Sequence, residues 1–369
     1  MTRPHPFASP NHPETGRMRW IGMDEAGLGP NLGPLVITAT VWETPLDWWQ
    51  PASRADAPAS ALAASKLFWE SQQTAISRQP VRGDDRLHVA DSKEVYSPAK
   101  GLSSLAASVH GLLALWQHHS EGSGGAAATP PSTIGSLIHA LDETYHHRPA
   151  ESREPWFAAL EDVPLIGIGG ETSATANLST GARRWQQASA ASSVRLQAIQ
   201  SRVVFTPEFN QRIAATGNKS AAVSEIALEL MKSTWQRAAS RDTTPPPTVI
   251  ISDQHGGRQK YDALLSHYFP DEWWTCLHQG DGGSHYLTPG SLLSFAPRSE
   301  IHLPVAAASL VCKYLRECCM EVMNKWWRER LPGIPPTKGY PQDAKRFREQ
   351  ILPVCHSQNL PETLWWRMK

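Results

Sequence analysis

The feature that most constrains this chain is an apolar run that ends in two acids and turns directly into a second apolar run. Arg19-Trp-Ile-Gly-Met23 reads as a short buried strand, and it runs straight into Asp24 and Glu25. A glycine/proline turn follows from Gly27 to Pro34, then a second apolar and β-branched run from Leu35 to Trp42. The result is strand, turn, strand, with two carboxylates at the first strand's end. A carboxylate in that position is half-desolvated, which is costly unless a cation or a donor compensates it.

The remaining composition is that of an ordinary globular protein. The 369 residues are 40 % apolar, enough for a sizeable core and too many for disorder throughout. No stretch approaches the roughly 18 to 20 uninterrupted apolar residues of a bilayer span. The start of the chain, Met1-Thr-Arg-Pro-His-Pro6, has no apolar leader, so the expected location is the cytoplasm. Thirty-five basic residues balance thirty-five acidic ones, which removes any global electrostatic argument for nucleic acid. The five cysteines contain no Cys-x-x-Cys, and the fifteen histidines form no His-x-x-x-His. Neither a disulfide framework nor a structural zinc site is therefore expected. Of the fifteen tryptophans, the doublets Trp48-Trp49, Trp273-Trp274 and Trp326-Trp327 read as core and rim aromatics.

Along the chain, residues 1–17 are Pro- and His-rich and read as a flexible tail. A helix is expected near Ala61 to Gln72. Another follows a Ser97-Pro98 cap, where Leu102, Leu105, Val109, Leu112 and Trp116 recur at helical spacing. Gly122 to Pro131 is glycine-rich loop, and the stretches 51–85 and 119–190 read as insertions rather than core. A strand is expected over 194–205, a helix from Ser220 to Ala239, and a short strand Val249-Ile-Ile251 that delivers Asp253. The strongest helical pattern runs from Pro304 to Arg328, and a last helix covers Gln342 to Ile351. Strands first, then strands alternating with helices, predict a mixed α/β architecture. Its main unit is read as 18–330, with 331–369 a C-terminal helical segment.

Three places present acids from an apolar element: Asp24 with Glu25, Asp253 after its strand, and Glu317 in mid-helix. If they converged they would repel, and two hard divalent cations are the simplest way to neutralise them. Spacing alone leaves surface acids and helix caps open as alternatives. Ser309, Lys313 and Glu317 are spaced i, i+4, i+8 and so share one helix face.

Several motifs carry a family resemblance. Met23-Asp-Glu-Ala-Gly-Leu-Gly-Pro30, followed by Gly33-Pro-Leu-Val36, resembles the opening of ribonuclease HII. Asp91-Ser-Lys93, Val249-Ile-Ile-Ser-Asp253, Val305-Ala-Ala-Ala-Ser-Leu-Val-Cys-Lys-Tyr-Leu-Arg-Glu317 and Lys338-Gly-Tyr-Pro341 are similar to that family's later motifs, in the family's order. The insertions at 51–85 and 119–190 match nothing in it.

The resemblance implies a ribonuclease H-like fold, a mixed central sheet flanked by helices. It implies an endonuclease that hydrolyses the RNA strand of RNA–DNA hybrids, or cuts at embedded ribonucleotides in duplex DNA, leaving 5′-phosphate and 3′-hydroxyl ends. Two Mg²⁺ or Mn²⁺ ions would be held by Asp24, Glu25, Asp253 and Glu317. Substrate would meet Gly27, Leu28, Gly29, Ser92, Lys93, Ser309, Lys313 and Tyr340. A glutamate at the fourth position resembles the sister type, ribonuclease HIII. No membrane and no obligate protein partner are implied.

The pattern departs from the family in two places. The family's Gly-Arg-Gly is Gly27-Leu28-Gly29, which loses a guanidinium while keeping the glycine backbone. Asp253 is followed by Gln-His-Gly-Gly-Arg258, where the family has Asp-Gly; the glycine pair reads as a turn or a phosphate cradle. Leu28 keeps open a nuclease of relaxed sugar specificity, and a non-catalytic nucleic-acid-binding module is the reading of a different class. Residues 323 to 349 carry seven bases against three acids (Lys325, Arg328, Arg330, Lys338, Lys345, Arg346 and Arg348 against Glu329, Asp343 and Glu349). This is either a backbone-tracking surface or an ordinary helical face.

Overall fold

The computed structural model describes residues 16–97, 101–121, 130–149, 152–167, 172–240, 242 and 244–368. Nearly all of the expected N-terminal tail, Pro98 of the Ser97-Pro98 cap and residues 122–129 of the glycine-rich loop lie outside them. In chain order the elements are β1 (Arg17–Ala26), β2 (Leu35–Pro45), α1 (Ala57–Gln72), β3 (Ile76–Ser77), β4 (Leu87–His88), α2 (Ser92–Val95), α3 (Ser103–Glu121), α4 (Ile134–Leu141) and α5 (Thr172–Ala191). Then come β5 (Arg195–Val204), α6 (Thr206–Thr216), α7 (Lys219–Ser240), β6 (Thr248–Ser252), α8 (Asp262–Tyr268), β7 (Thr275–Gly280), β8 (Gly283–Thr288) and β9 (Ser291–Phe295). The last three are α9 (Leu303–Arg330), α10 (Pro341–Ser357) and α11 (Glu362–Trp365).

Seven strands form one mixed sheet in the order β5-β2-β1-β6-β9-β8-β7. β1 is antiparallel to β2 and parallel to β6, which is itself parallel to β9. The expected mixed central sheet flanked by helices is thus what forms. Each inner strand is buried on both faces, and alternation sorts its side chains between two cores. Met18, Trp20, Val249, Ile251 and Leu292 face the side covered by α9, while Ile21, Met23, Ile250, Leu293 and Phe295 face the side covered by α7 and α8.

The stretches expected to be insertions are part of the core. Phe68 of the first stretch, and Ile134, Leu137, Trp156, Phe157 and Trp185 of the second, join the same apolar cluster as α9. Phe347, Ile351 and Trp365 from beyond residue 331 join it too. Ile134 and Leu137 lie on the eight-residue α4, and Trp156 and Phe157 on a 3₁₀ turn, Pro155–Glu161, both too short to show a clear apolar period. The β7–β9 meander escaped because its glycines and serines interrupt the apolar alternation.

Two tight contacts set where α9 lies. A Cβ on Gly22 of β1 would sit 2.2 Å from the Pro304 carbonyl carbon, so only glycine lets the first turn of α9 meet the sheet this closely. Thr40 of β2 donates its hydroxyl to the Pro304 carbonyl at 2.7 Å. These contacts fix the start of α9 against the centre of the sheet.

Candidate metal centre

The parallel register of β1 and β6 brings the first two acids together. Met23 pairs with Ser252, so the next residues on the two strands are Asp24 and Asp253. By alternation both belong to the face that carries α9. Glu25 falls on the other face of β1, close enough to Asp253 for the two charges to repel.

A third carboxylate comes from a residue that sequence reasoning missed. Glu300 lies on a short 3₁₀ turn, Ser299–Ile301, just ahead of α9. Ser299 ties that turn to the end of β6 by donating its hydroxyl to the Ser252 carbonyl at 3.3 Å. Ala296 N–H donates to the same carbonyl at 3.2 Å. The carboxylates of Asp24, Asp253 and Glu300 then each offer an oxygen within 4.8 Å of the others. An acid two residues ahead of the His302 cap carries no signal of its own in a sequence.

These acids destabilise one another. Burial, then the Glu25 charge, push the Asp24 carboxyl well above its ordinary range, with Glu300 and Asp253 adding to the rise. Burial and then Asp253 push Glu25 up to about 7. Asp253 and Glu300 are also raised, in both cases chiefly by burial. Oδ1 of Asp253 is buried and has no hydrogen-bond partner among the described residues. A buried acceptor without a donor, set among three other acids, fits a site for hard divalent cations.

Glu317, expected as a fourth ligand, is engaged elsewhere. It is buried and accepts from Lys313 Nζ at 2.7 Å, Lys338 Nζ at 2.8 Å and the Tyr96 hydroxyl at 2.9 Å. Burial alone would raise its carboxyl; the two lysines outweigh burial and hold it down to about 2. The helix face expected to hold Ser309, Lys313 and Glu317 does form. Ser309, however, is the level that meets Asp24, near enough for its side chain to oppose the rise of that carboxyl. Glu317 lies two turns further on, about 12 Å along the axis at 1.5 Å per residue.

The other expected residues surround this centre. Asp91 caps α2 by accepting from Lys93 N–H, and Ser92 N–H donates to Ser309 Oγ at 3.3 Å. The Asp-Ser-Lys turn is thereby docked beside Asp24. Lys93 is exposed; burial would lower its ammonium, but Asp91, Glu300, Asp24 and Asp253 together raise it. Gly27 has φ +99°, and a Cβ there would meet Arg316 Nε at 2.7 Å. Gly29 has open space around it, and Leu28 packs on the α7 side of the sheet. Tyr340 is 51 % exposed. Its neighbour Gly339 holds the Lys338-Gly-Tyr turn against the Gly27–Pro34 loop, accepting from Asn31 N–H at 2.7 Å.

The glycine pair after Asp253 and the start of α7 are both held locally. Gly256 and Gly257 both take positive φ, and Arg258 donates to Ser224 Oγ at 3.2 Å. Asn218 Oδ1 accepts from Ala221 N–H at 2.8 Å and so caps α7. In the basic stretch, Arg346 pairs with Asp343, Arg348 with Glu362 and Lys338 with Glu317. Lys325, Arg328 and Lys345 are exposed.

No family profile matches this chain, and no curated protein does. Solved structures do match along most of its length. The chain is similar to the RNase HII of a PCNA:RNase HII complex from Archaeoglobus fulgidus, at 12 % identity over 95 % of this chain and 94 % of that one, with a TM-score of 0.34. It is similar to the ribonuclease H2 of Pyrococcus horikoshii OT3, at 14 % identity over 94 % and 92 %, with a TM-score of 0.34. A third likeness is to Bst-RNase HIII in complex with Mn²⁺, at 13 % identity over 95 % and 66 %, with a TM-score of 0.37. Among the described residues no helix is long and apolar enough to cross a membrane.

Proposed function

We propose that this chain is a metal-dependent, ribonuclease H-type endonuclease that cuts the RNA strand of RNA–DNA hybrids, or cuts at ribonucleotides embedded in duplex DNA. The observation that carries the reading is the convergence of Asp24, Asp253 and Glu300, with Glu25 beside them, where neighbouring parallel strands end. Asp24, Asp253, Glu300 and Glu25 would hold two divalent cations, Mg²⁺ or Mn²⁺. When bound, such ions supply activation of water and neutralisation of charge on the leaving 3′ oxygen, which gives 5′-phosphate and 3′-hydroxyl ends.

The chain's own residues do the rest. Glu317 holds Lys313 and Lys338 as a pair of cations within reach of the Tyr96 ring, at 4.8 and 5.5 Å from its centroid. Its role here is therefore to orient phosphate-binding lysines rather than to hold metal. Lys93 offers a charge at the rim. Gly27 and Gly29 let backbone groups approach a sugar, and the exposed Tyr340 ring gives the neighbouring sugar a stacking face. A non-catalytic binding module is disfavoured, because four uncompensated acids would repel the phosphate backbone they would have to meet.

The test is cleavage of matched duplexes carrying no ribonucleotide, one ribonucleotide or a continuous RNA strand, in Mg²⁺ and in Mn²⁺. Cutting of the last two but not the first supports the reading. Equal cutting of the all-DNA duplex points to the relaxed nuclease that Leu28 suggests. Asp24→Asn should lose more than about a hundredfold in rate while still binding hybrid, because it removes a ligand and lessens repulsion of phosphate.

A further inference from the structure

The Gly27–Leu32 loop is held from behind by two buried guanidiniums, Arg316 of the α9 motif and Arg367, which no motif contains. Arg367, fully buried beyond α11, donates through Nη1 to the carbonyls of Gly27 and Pro30, and its backbone N–H donates to the Asn31 carbonyl at 3.0 Å. Arg316 donates through Nη2 to the Leu32 carbonyl at 3.3 Å and to the Lys338 carbonyl at 3.0 Å. The carbonyls of residues 27, 30, 31 and 32 are therefore all engaged from one side. Two like charges buried this close together are costly; the buried Glu154 offsets Arg367, and the buried Glu317 lies 3.6 Å from Arg316. A fold that carries that cost at the back of a glycine loop fixes the loop's shape through it. Leu28 brings no guanidinium of its own to do so.

We propose that Arg367 is a positioning residue for the Gly27–Leu32 loop, holding the backbone that meets the substrate sugar in a shape that binds it. The proposal rests on the reading of that loop as a sugar-binding element. Arg367 touches neither substrate nor metal; it acts through the carbonyls of Gly27 and Pro30. Asn210 clamps the same segment, donating to the Thr363 carbonyl at 3.0 Å and the Trp366 carbonyl at 2.9 Å, and accepting from Met368 N–H at 2.8 Å. The brace is thus anchored to α6.

The test uses Arg367→Met and Arg367→Lys in the full chain. Methionine keeps an apolar stem to pack on Phe209, whose ring lies 5.0 Å from the guanidinium carbon, and it donates nothing. Lysine keeps the charge but cannot fork across two carbonyls. In Arg367→Met, amide hydrogen exchange at Leu28, Gly29, Asn31 and Leu32 should quicken about tenfold or more while β1 amides 18–23 keep wild-type rates. KM for a duplex with one ribonucleotide should rise about tenfold with kcat nearly unchanged, and Arg367→Lys should fall between the two proteins. Unchanged exchange in the loop overturns the proposal, as does faster exchange spread evenly over loop and β1, or a fall in kcat with KM unmoved. If methionine prevents folding, the lysine variant carries the same comparisons. If the wild type cuts no duplex, the proposed function falls, while the exchange measurement still decides whether Arg367 shapes the loop.

Discussion

Lys338 Nζ meets Glu317 Oε2 at 2.8 Å, from a turn that lies twenty-one residues beyond it in the chain. Lys313 Nζ meets the other oxygen of the same carboxylate at 2.7 Å. In the function proposed above, Glu300 serves cations and Glu317 serves lysines, because Glu300 lies among acids and Glu317 between two ammonium groups.

Exchange of each glutamate should separate these roles. Glu300→Gln is expected to weaken Mn²⁺ binding by at least tenfold, since a charged ligand of the cluster is lost. Glu317→Gln should leave Mn²⁺ affinity within about twofold, yet weaken hybrid binding and flatten its salt dependence by disordering Lys313 and Lys338. Calorimetric titration with Mn²⁺ and hybrid binding over a salt series read both. Equal loss of metal affinity in the two variants would return Glu317 to the ligand set.

The closeness of α9 to β1 gives a stability prediction. Gly22→Ala places a methyl group against the Pro304 backbone, where neither element can yield without moving the start of α9. The expected cost is about 2 to 3 kcal/mol, the upper part of the range for overpacked cores. Denaturant unfolding measures it. Metal affinity should fall as well, because Glu300 sits immediately before the displaced turn.

Glu154 predicts a pH dependence. Burial pushes its carboxyl up to about 7 from an ordinary value of 4.5, although Thr206 hydrogen-bonds to it. The folded state then binds a proton that the unfolded state releases between about 4.5 and 7. Stability therefore declines as pH rises through that window and levels off above it. Such a shift corresponds to about 3 kcal/mol. Glu154→Gln keeps an acceptor for Thr206 and should flatten that part of the stability curve, read as melting temperature from pH 4.5 to 8. A curve of unchanged slope would show that other groups set it.

The substituted loop invites a gain of function. Leu28→Arg should tighten duplex binding and steepen its salt dependence by about one phosphate's worth without moving the cut. Tyr340→Ala should instead blur the cut position, because a stacking face for the neighbouring sugar is lost. Product mapping on a duplex with one ribonucleotide compares both with the wild type.

The sequence by itself determined the elements whose signals are local. The run from Arg19 into Asp24-Glu25, the strand that delivers Asp253 and the helix from about Pro304 to Arg328 were each legible, because periodicity, breakers and a strand's end are written in neighbouring residues. The shared face of Ser309, Lys313 and Glu317 was legible for the same reason. Helical spacing tells which residues share a face but not which level of that face meets the sheet. That level was decided by Gly22 against Pro304, which places Ser309 beside Asp24 and leaves Glu317 two turns away. Glu300 enters only because the Ser252 carbonyl captures Ser299 across the sheet's end, a contact between residues forty-seven apart. Arg367 reaches Gly27 across an even longer stretch of chain. Contacts of that kind leave no local pattern, since each depends on two distant segments being folded against one another first.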